Sequence, residues 1–131
     1  MSRIVFAAVV AVGFSLPLGA PLMAHHSFSA EFDESKPMKV TGKLVEVQWT
    51  NPHIWYFVDG VDEVTGQKAV FGFSGGAPNS MRRRGLDRSD LKLGLRVIVE
   101  GFRARDGSAN GGGRSATYAD TGRSLFDTPG Q

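Results

Sequence analysis

Histidine is the residue type with the clearest capacity for chemistry in this sequence, which has three: His25, His26 and His53. Imidazole nitrogen binds copper, zinc and nickel, and Cu(II) binds such ligands most tightly among the common divalent ions. Cleavage of the chain before His25 would give this residue a free α-amine. The α-amine and the imidazole of His25 can then chelate one metal ion. A second imidazole, from His26 or His53, completes the arrangement called a histidine brace. The pattern predicts a metal site, most favourably for copper. The alternative is that these histidines are polar arm and turn residues.

The first 24 residues predict the proteolytic cleavage before His25 that this metal site requires. Arg3 is the only charged residue, an apolar run follows over residues 4–16, and Ala24 ends the segment with a small side chain. This pattern is typical of a secretory signal peptide. The apolar run is shorter than the ~20 residues that span a bilayer. We expect export and cleavage after Ala24, which leaves 107 of the 131 residues. An uncleaved membrane anchor is the alternative.

A second group of candidate residues consists of aromatic and basic side chains. Trp49 and Trp55 flank His53, and aromatic faces on an open barrel can stack sugars or bases. Arginine side chains can pair with an anionic ligand or an acidic membrane surface. Core packing and a solvated helix face are the corresponding alternatives. The candidate ligand-binding residues are Trp49, Trp55, Arg82, Arg83 and Arg84.

Composition and missing motifs exclude several functions. Without Arg3 the mature chain has 14 basic and 13 acidic residues, a net charge of +1, so no general electrostatic argument favours nucleic acid. The sequence has no cysteine, which excludes disulfides and a thiol nucleophile. It contains no P-loop and no Gly-x-Ser-x-Gly motif. We expect a binding protein without catalysis of its own and without a membrane span after cleavage. Its partners would be a metal ion, a small ligand or another protein.

The mature chain divides into an arm, one domain and a tail. Residues 25–39 are polar and predict a loosely docked arm, whose Phe28 and Phe32 could dock on aromatic residues near Trp49 and Trp55. Residues 40–126 predict a β-barrel domain, and residues 127–131 a frayed tail.

Period-two patterns predict the strands of this domain. Val45, Val47 and Trp49 alternate with Leu44, Glu46 and Gln48. Further strands are expected at residues 54–61, 68–73, 96–102, 114–118 and 123–126, with a hairpin turn at Thr65-Gly66. Residues 103–113, rich in glycine, predict an exposed flexible loop or a wide hairpin.

A short helix should separate the third strand from the fourth. Asn79 or Ser80 could cap it, and Gly85 suits its C-terminal end. Asp87 or Ser89 could start one more helical turn. Three strands, a helix and two or three strands is the element order of an oligonucleotide/oligosaccharide-binding (OB) barrel. We therefore predict an all-β fold: a small OB-like barrel of five to six strands with one short helix. A generic small β-barrel or sandwich is the alternative.

Several short motifs carry a family resemblance. They are His25-His26-Ser27-Phe28, Glu31-Phe32-Asp33, Trp49-Thr50-Asn51-Pro52-His53, Arg83-Arg84-Gly85, Gly101-Phe102-Arg103-Ala104, Asp106-Gly107-Ser108 and Arg114-Ser115. With these motifs the chain resembles the small exported bacterial proteins of domain of unknown function family 6152. The resemblance covers nearly the whole mature chain and implies a periplasmic location, but it implies no activity.

The sequence thus predicts a periplasmic metal-binding protein that uses the mature N-terminal histidine. The alternative is a non-enzymatic OB-like barrel that binds an anionic or sugar-like ligand or a protein partner.

Overall fold

The computed structural model describes residues 28–127 of the chain. Predictions for residues 1–27 and 128–131, including the signal peptide and the end of the tail, lie outside these residues. A helical turn covers residues 28–31. The bounds of the following elements are Phe32–Gln48 (β1), Trp55–Asp62 (β2), Lys68–Ser74 (β3), Pro78–Arg83 (α1), Arg88–Asp90 (a 3-10 helix), Arg96–Ala104 (β4), Asn110–Tyr118 (β5) and Ser124–Asp127 (β6).

The strands form one sheet that closes on itself. Its order is β3-β2-β1-β4-β5-β6, and all these neighbours are antiparallel. In addition β3 pairs in parallel with β5, from Gly72 opposite Asn110 to Ser74 opposite Gly112, and this pairing joins five strands into a ring. The order of strands and helix and the closure of β3 on β5 match an OB-like barrel. The predicted fold class is confirmed.

Alternation along the strands fills the barrel with apolar side chains. In β2, Tyr56 and Val58 are buried in the core, whereas Trp55 and Phe57 lie half-buried on the outer face. Alternation in β1 changes phase at Val45, an extra residue that is 43% exposed in a β-bulge. The core consists of Met38, Val40, Leu44, Ile54, Tyr56, Val58, Phe71, Phe73, Met81, Leu86, Leu91, Val97, Val99, Ala116 and Phe126.

The first strand begins earlier than the sequence indicated. Residues 25–39 were expected to form a loosely docked arm, but β1 begins at Phe32 and pairs there with β4. Extra residues between Asp33 and Pro37 interrupt the pairing register. Because these residues are polar, the sequence shows no alternation of apolar and polar residues that would predict a strand here. The arm prediction is therefore wrong for residues 32–39.

The glycine-rich segment after β4 is mostly strand. We expected an exposed flexible loop or a wide hairpin over residues 103–113, and the structure has the hairpin: residues 105–109 connect the antiparallel strands β4 and β5, and the glycines at 111–113 are buried. A side chain at Gly113 would collide with the hydroxyl of Tyr56 inside the barrel. Glycine therefore serves close packing here, and of the two alternatives the flexible loop is wrong.

The boundaries of the helix and of the last strand also differ in detail. Helix α1 begins with Pro78 and has no side-chain cap, so Asn79 and Ser80 do not cap it. Gly85 has a φ of 86° and ends the helix as predicted. Asp127, expected in the frayed tail, is the last residue of β6. Within residues 28–127, no helix is long and apolar enough to cross a membrane.

A buried ion pair joins β2 to β4 inside the barrel. Asp62 is completely buried and accepts hydrogen bonds from the Arg103 guanidinium, the backbone N–H of Val64 at 3.0 Å and the hydroxyl of Thr65 at 3.1 Å. Burial by itself raises the pKa of Asp62, but Arg103 and the two other donors outweigh it and lower the pKa below its ordinary value. We call the Asp62–Arg103 pair the interior clasp.

Candidate functional site

His53 lies in the loop between β1 and β2 and is exposed to solvent. Its Nδ1 atom is 3.2 Å from the carbonyl oxygen of Gly75, just after β3. Because a carbonyl oxygen only accepts hydrogen bonds, Nδ1 is the donor in this contact, and Nε2 is the ring nitrogen that the contact leaves unused. A metal-binding histidine commonly donates its other ring N–H to a carbonyl in this way, which fixes the ring orientation. In this orientation Nε2 is the atom of His53 that a metal ion would contact.

The other two predicted metal ligands, His25 and His26, lie outside the described residues. Within residues 28–127, no group of three or more histidine, aspartate or glutamate side chains is arranged to hold a metal ion. This part of the chain therefore supplies one of the three predicted ligands, and the metal site stays a prediction.

The first described residues pack against the outer face of β5. The rings of Phe28 and Phe32, with centroids 4.9 Å apart, lie over Gly112. A Cβ atom at Gly112 would come within 2.6 Å of the Phe28 ring and 3.0 Å of the Phe32 ring, so glycine is what makes room for them. The two phenylalanines do dock on the barrel, but they contact Gly112 and each other, whereas the sequence pointed to aromatics near Trp49 and Trp55.

This docking places Phe28 close to the backbone that orients His53. Gly112 pairs with Ser74 across the parallel β3–β5 ladder. The next residue, Gly75, is the hydrogen-bond partner of His53. Since neighbouring strands lie about 5 Å apart, the glycine that the Phe28 ring covers and the carbonyl that orients His53 both lie at the C-terminal end of β3.

A second clasp, on the surface, holds the residues around Phe28 in place. Arg105 donates from its backbone N–H to the carbonyl of Glu31 at 2.8 Å and from Nε to the carbonyl of Ser29 at 2.7 Å. Its Nη1 atom is 3.7 Å from the carboxylate of Asp33. Hydrogen bonds from Ser35 lower the pKa of Asp33, and Arg105 lowers it further, so this carboxylate stays ionised. We call these contacts of Arg105 the surface clasp.

Two aromatic rings form a row on the outer face of β2. Trp55 and Phe57 have centroids 6.4 Å apart and ring planes within 25° of parallel. Opposite Phe57 on β3 is Gly72, and the space above this glycine is occupied by the Phe57 ring and the side-chain oxygen of Asn110. An open groove of about 460 Å³ runs beside Trp55. Residues that line it come from the helical turn, from β1 and β2, and from the β4–β5 connection.

The remaining predicted ligand-binding residues lie elsewhere. Trp49 is half-buried against the core, and the guanidinium of Arg82 is 5.9 Å from its ring centroid. Its indole N–H is buried and has no hydrogen-bond partner within the described part of the chain. Arg83 and Arg84 are exposed at the end of α1. The groove beside Trp55 contains none of the three arginines, and a ligand role for any of these residues stays a prediction.

Sequence reasoning missed Arg105, Asn110 and Gly112 as parts of this region. The sequence gives no local signal for Arg105 or Asn110, because their partners are distant in the chain. The run of glycines at 111–113 was a usable signal, since consecutive glycines can mark close approach as well as flexibility.

Comparison with known proteins places the chain in a family. No curated protein and no solved structure is detectably similar to it. A family model matches residues 15–114, which include both N-terminal histidines, His53 and most of the barrel. The resemblance seen in the sequence motifs is thereby confirmed. The chain belongs to the family of unknown function DUF6152.

Proposed function

We propose that this is a periplasmic metal-binding protein, for copper, whose ligands are the α-amine and imidazole of His25 and the Nε2 atom of His53. His26 is a substitute or additional ligand. The protein binds the ion without catalysis of its own. Export by the N-terminal signal peptide and cleavage after Ala24 are part of the proposal, because only cleavage there creates the α-amine of His25.

The observation that carries the proposal is the orientation of His53. The hydrogen bond from its Nδ1 to the carbonyl of Gly75 leaves Nε2 as the ligand atom, and it limits the ring's freedom before any metal binds. A ligand held in one orientation loses less entropy on binding than a freely rotating side chain.

The position of Phe28 supports a contribution from His25 to the same site. Two residues, His26 and Ser27, separate His25 from Phe28, so the two Cα atoms are three steps apart along the chain and at most about 10 Å from each other. Phe28 is anchored over Gly112, one strand away from the segment that holds His53. This short separation along the chain supports the proposal that His25 and His53 bind the same ion.

The donor set is suited to copper. One amine and two imidazoles provide three nitrogen ligands, and Cu(II) exceeds the other common divalent ions in affinity for such sets. The amine has an ordinary pKa near 8 and is deprotonated by the metal. Copper affinity should accordingly weaken as the pH falls, since protons compete for all three nitrogens.

The test is the Cu(II) affinity of the mature protein, measured by competition with a chelator of known affinity. His53→Ala should weaken binding about tenfold or more, which corresponds to about 1.4 kcal/mol. One extra residue before His25 should weaken it at least as much, because it removes the chelate ring. Thr50→Ala, an exposed position in the same loop, is the matched control and should bind like the wild type.

Two outcomes would contradict the proposal. Unchanged affinity for His53→Ala with a large loss for His26→Ala would reduce the site to a local N-terminal chelate. Unchanged affinity for His53→Ala, His26→Ala and the extended chain would exclude histidine ligation altogether.

A further inference from the structure

The groove beside Trp55 contains hydrogen-bonding groups that the fold does not use. The indole N–H of Trp55, the hydroxyl of Ser108 and the side-chain amide of Asn110 all belong to residues that line it. Within the described part of the chain, the indole N–H of Trp55 and the amide of Asn110 form no hydrogen bond to the protein. The hydroxyl of Ser108 donates to the carboxylate of Asp106, so towards a ligand its oxygen acts as an acceptor. Together they offer both donors and acceptors to a ligand.

An aromatic surface accompanies these polar groups. Trp55 lies in the groove, and Phe57 continues the row along β2 with its ring centroid 6.4 Å away. Gly72 keeps the neighbouring strand free of a side chain at this point, which lets Asn110 lie beside Phe57. The groove therefore combines an apolar ring surface with amide and hydroxyl groups at its rim.

The charges in the groove restrict what can bind. Its acidic side chains are Glu31 and Asp106, and hydrogen bonds from Ser108 lower the pKa of Asp106, which keeps it ionised. Arg105 is the one basic residue that lines the groove, and its guanidinium is engaged by Ser29 and Asp33. A polyanion needs several free cations along its path, so the groove disfavours nucleic acid and other polyanions.

We propose that this groove is a binding site for a neutral oligosaccharide. A pyranose ring has an apolar C–H face that can lie against an aromatic ring and hydroxyl groups around its edge that match the amide, the hydroxyl and the indole N–H. The groove lies beside Trp55 at the start of β2 and along the connection between β4 and β5, and the β4–β5 loop is one of those with which OB-folds bind oligosaccharides. The site needs no metal and is independent of His25 and His53.

The two tryptophans of the chain make the proposal directly measurable. Trp49 packs against the core under Arg82, and Trp55 lines the groove. The Trp49→Phe variant leaves Trp55 as the single fluorescent reporter, and Trp55→Phe leaves Trp49. Each is titrated with cellohexaose, maltohexaose and chitohexaose, and with a single-stranded oligothymidylate, in the presence of a metal chelator.

At least one neutral hexasaccharide should change the Trp55 emission saturably and leave the Trp49 emission unchanged. Adding Asn110→Ala to the Trp49→Phe variant should weaken this binding about tenfold, the usual effect of losing a hydrogen bond to a ligand. Val70→Ala, on the exposed outer face of β3 away from the groove, is the matched control and should not affect it. No response to any of the three sugars, or tighter binding of the oligothymidylate, would overturn the proposal.

Discussion

Arg103 and Arg105 are only two residues apart, yet each works in a different environment. β4 ends between them, at Ala104. The side chain of Arg103 is 23% exposed and its partner Asp62 is 0% exposed, so the interior clasp lies largely out of water. The side chain of Arg105 is 50% exposed, and the surface clasp joins it to Asp33 and to the backbone of the helical turn.

The difference separates what holds the barrel together from what holds its first residues. The interior clasp links β2 to β4, and its loss would leave a buried carboxylate without its cation. The surface clasp links the β4–β5 connection to residues 29–33, and its loss exposes no buried charge. Barrel stability and the position of the N-terminal segment are therefore controlled by different arginines.

The largest effect is expected for the interior clasp. Arg103→Ala should lower the free energy of unfolding at neutral pH by about 2–4 kcal/mol, because Asp62 stays buried and charged. The loss falls below that of a fully isolated charge because Val64 and Thr65 still donate to Asp62. Urea unfolding followed by circular dichroism measures it. The double variant Asp62→Leu/Arg103→Met should recover most of the loss, and equal instability of the single and double variants would contradict this role.

The next largest effect is the pH dependence of the free energy of unfolding that Arg103→Ala removes. In the wild type the pKa of Asp62 is lowered, so its contribution is present above the unfolded pKa, near 3.9, and is lost as the pH falls through the folded pKa. In Arg103→Ala the lowering influence of the guanidinium is lost, so the pKa of Asp62 rises from its wild-type value. The stability difference between wild type and variant should therefore shrink as urea unfolding is measured at pH values progressively below about 3.9. A difference that stays constant well below this pH would argue against the interior clasp as its cause.

The sequence predicted the frame of the molecule because its signals are local. Alternation in β2, the turn at Thr65-Gly66 and the helix end at Gly85 each depend on a few neighbouring residues, and each was confirmed. The bulge at Val45 was not predicted. One extra residue reverses which side chains of the strand point into the core, but it leaves the composition of the strand almost unchanged. The glycines near residue 112 predicted either a flexible loop or a wide hairpin, because composition does not distinguish close packing from flexibility.

The site was less predictable because its contacts connect distant parts of the chain. Arg103 reaches a carboxylate 41 positions away, and Arg105 reaches a carbonyl 76 positions away. Charged residues are usually exposed. The sequence therefore does not distinguish Arg103, which pairs with a buried carboxylate, from Arg105, which forms contacts at the surface. His53 was recognised by its residue type, but its orientation depends on the carbonyl of Gly75, which pairing between strands brings near.

The smallest expected effect on stability belongs to the surface clasp. Arg105→Ala removes the hydrogen bond to the carbonyl of Ser29 and the ion pair with Asp33, both exposed to solvent. Such contacts contribute about 0–1 kcal/mol, and the backbone hydrogen bond to Glu31 remains. Arg96→Ala is the control, because Arg96 is exposed to a similar degree as Arg105 and forms an ion pair with Asp120 at 3.2 Å, far from the N-terminal segment in sequence. The two variants should unfold at nearly the same urea concentration.

Copper binding should nevertheless distinguish these two variants. If the surface clasp holds Phe28 over Gly112, and Phe28 holds His25 near His53, then Arg105→Ala lets the N-terminal segment leave the barrel for part of the time. The fraction of molecules ready to bind falls, and the apparent affinity falls with it, by about threefold to tenfold. Arg96→Ala should keep the wild-type affinity in the same chelator competition. In the extended chain, which has already lost the His25 chelate, Arg105→Ala should have little further effect. Equal copper affinity in Arg105→Ala and Arg96→Ala would show that docking of the first residues does not position the metal ligands, even if His53 itself binds the ion.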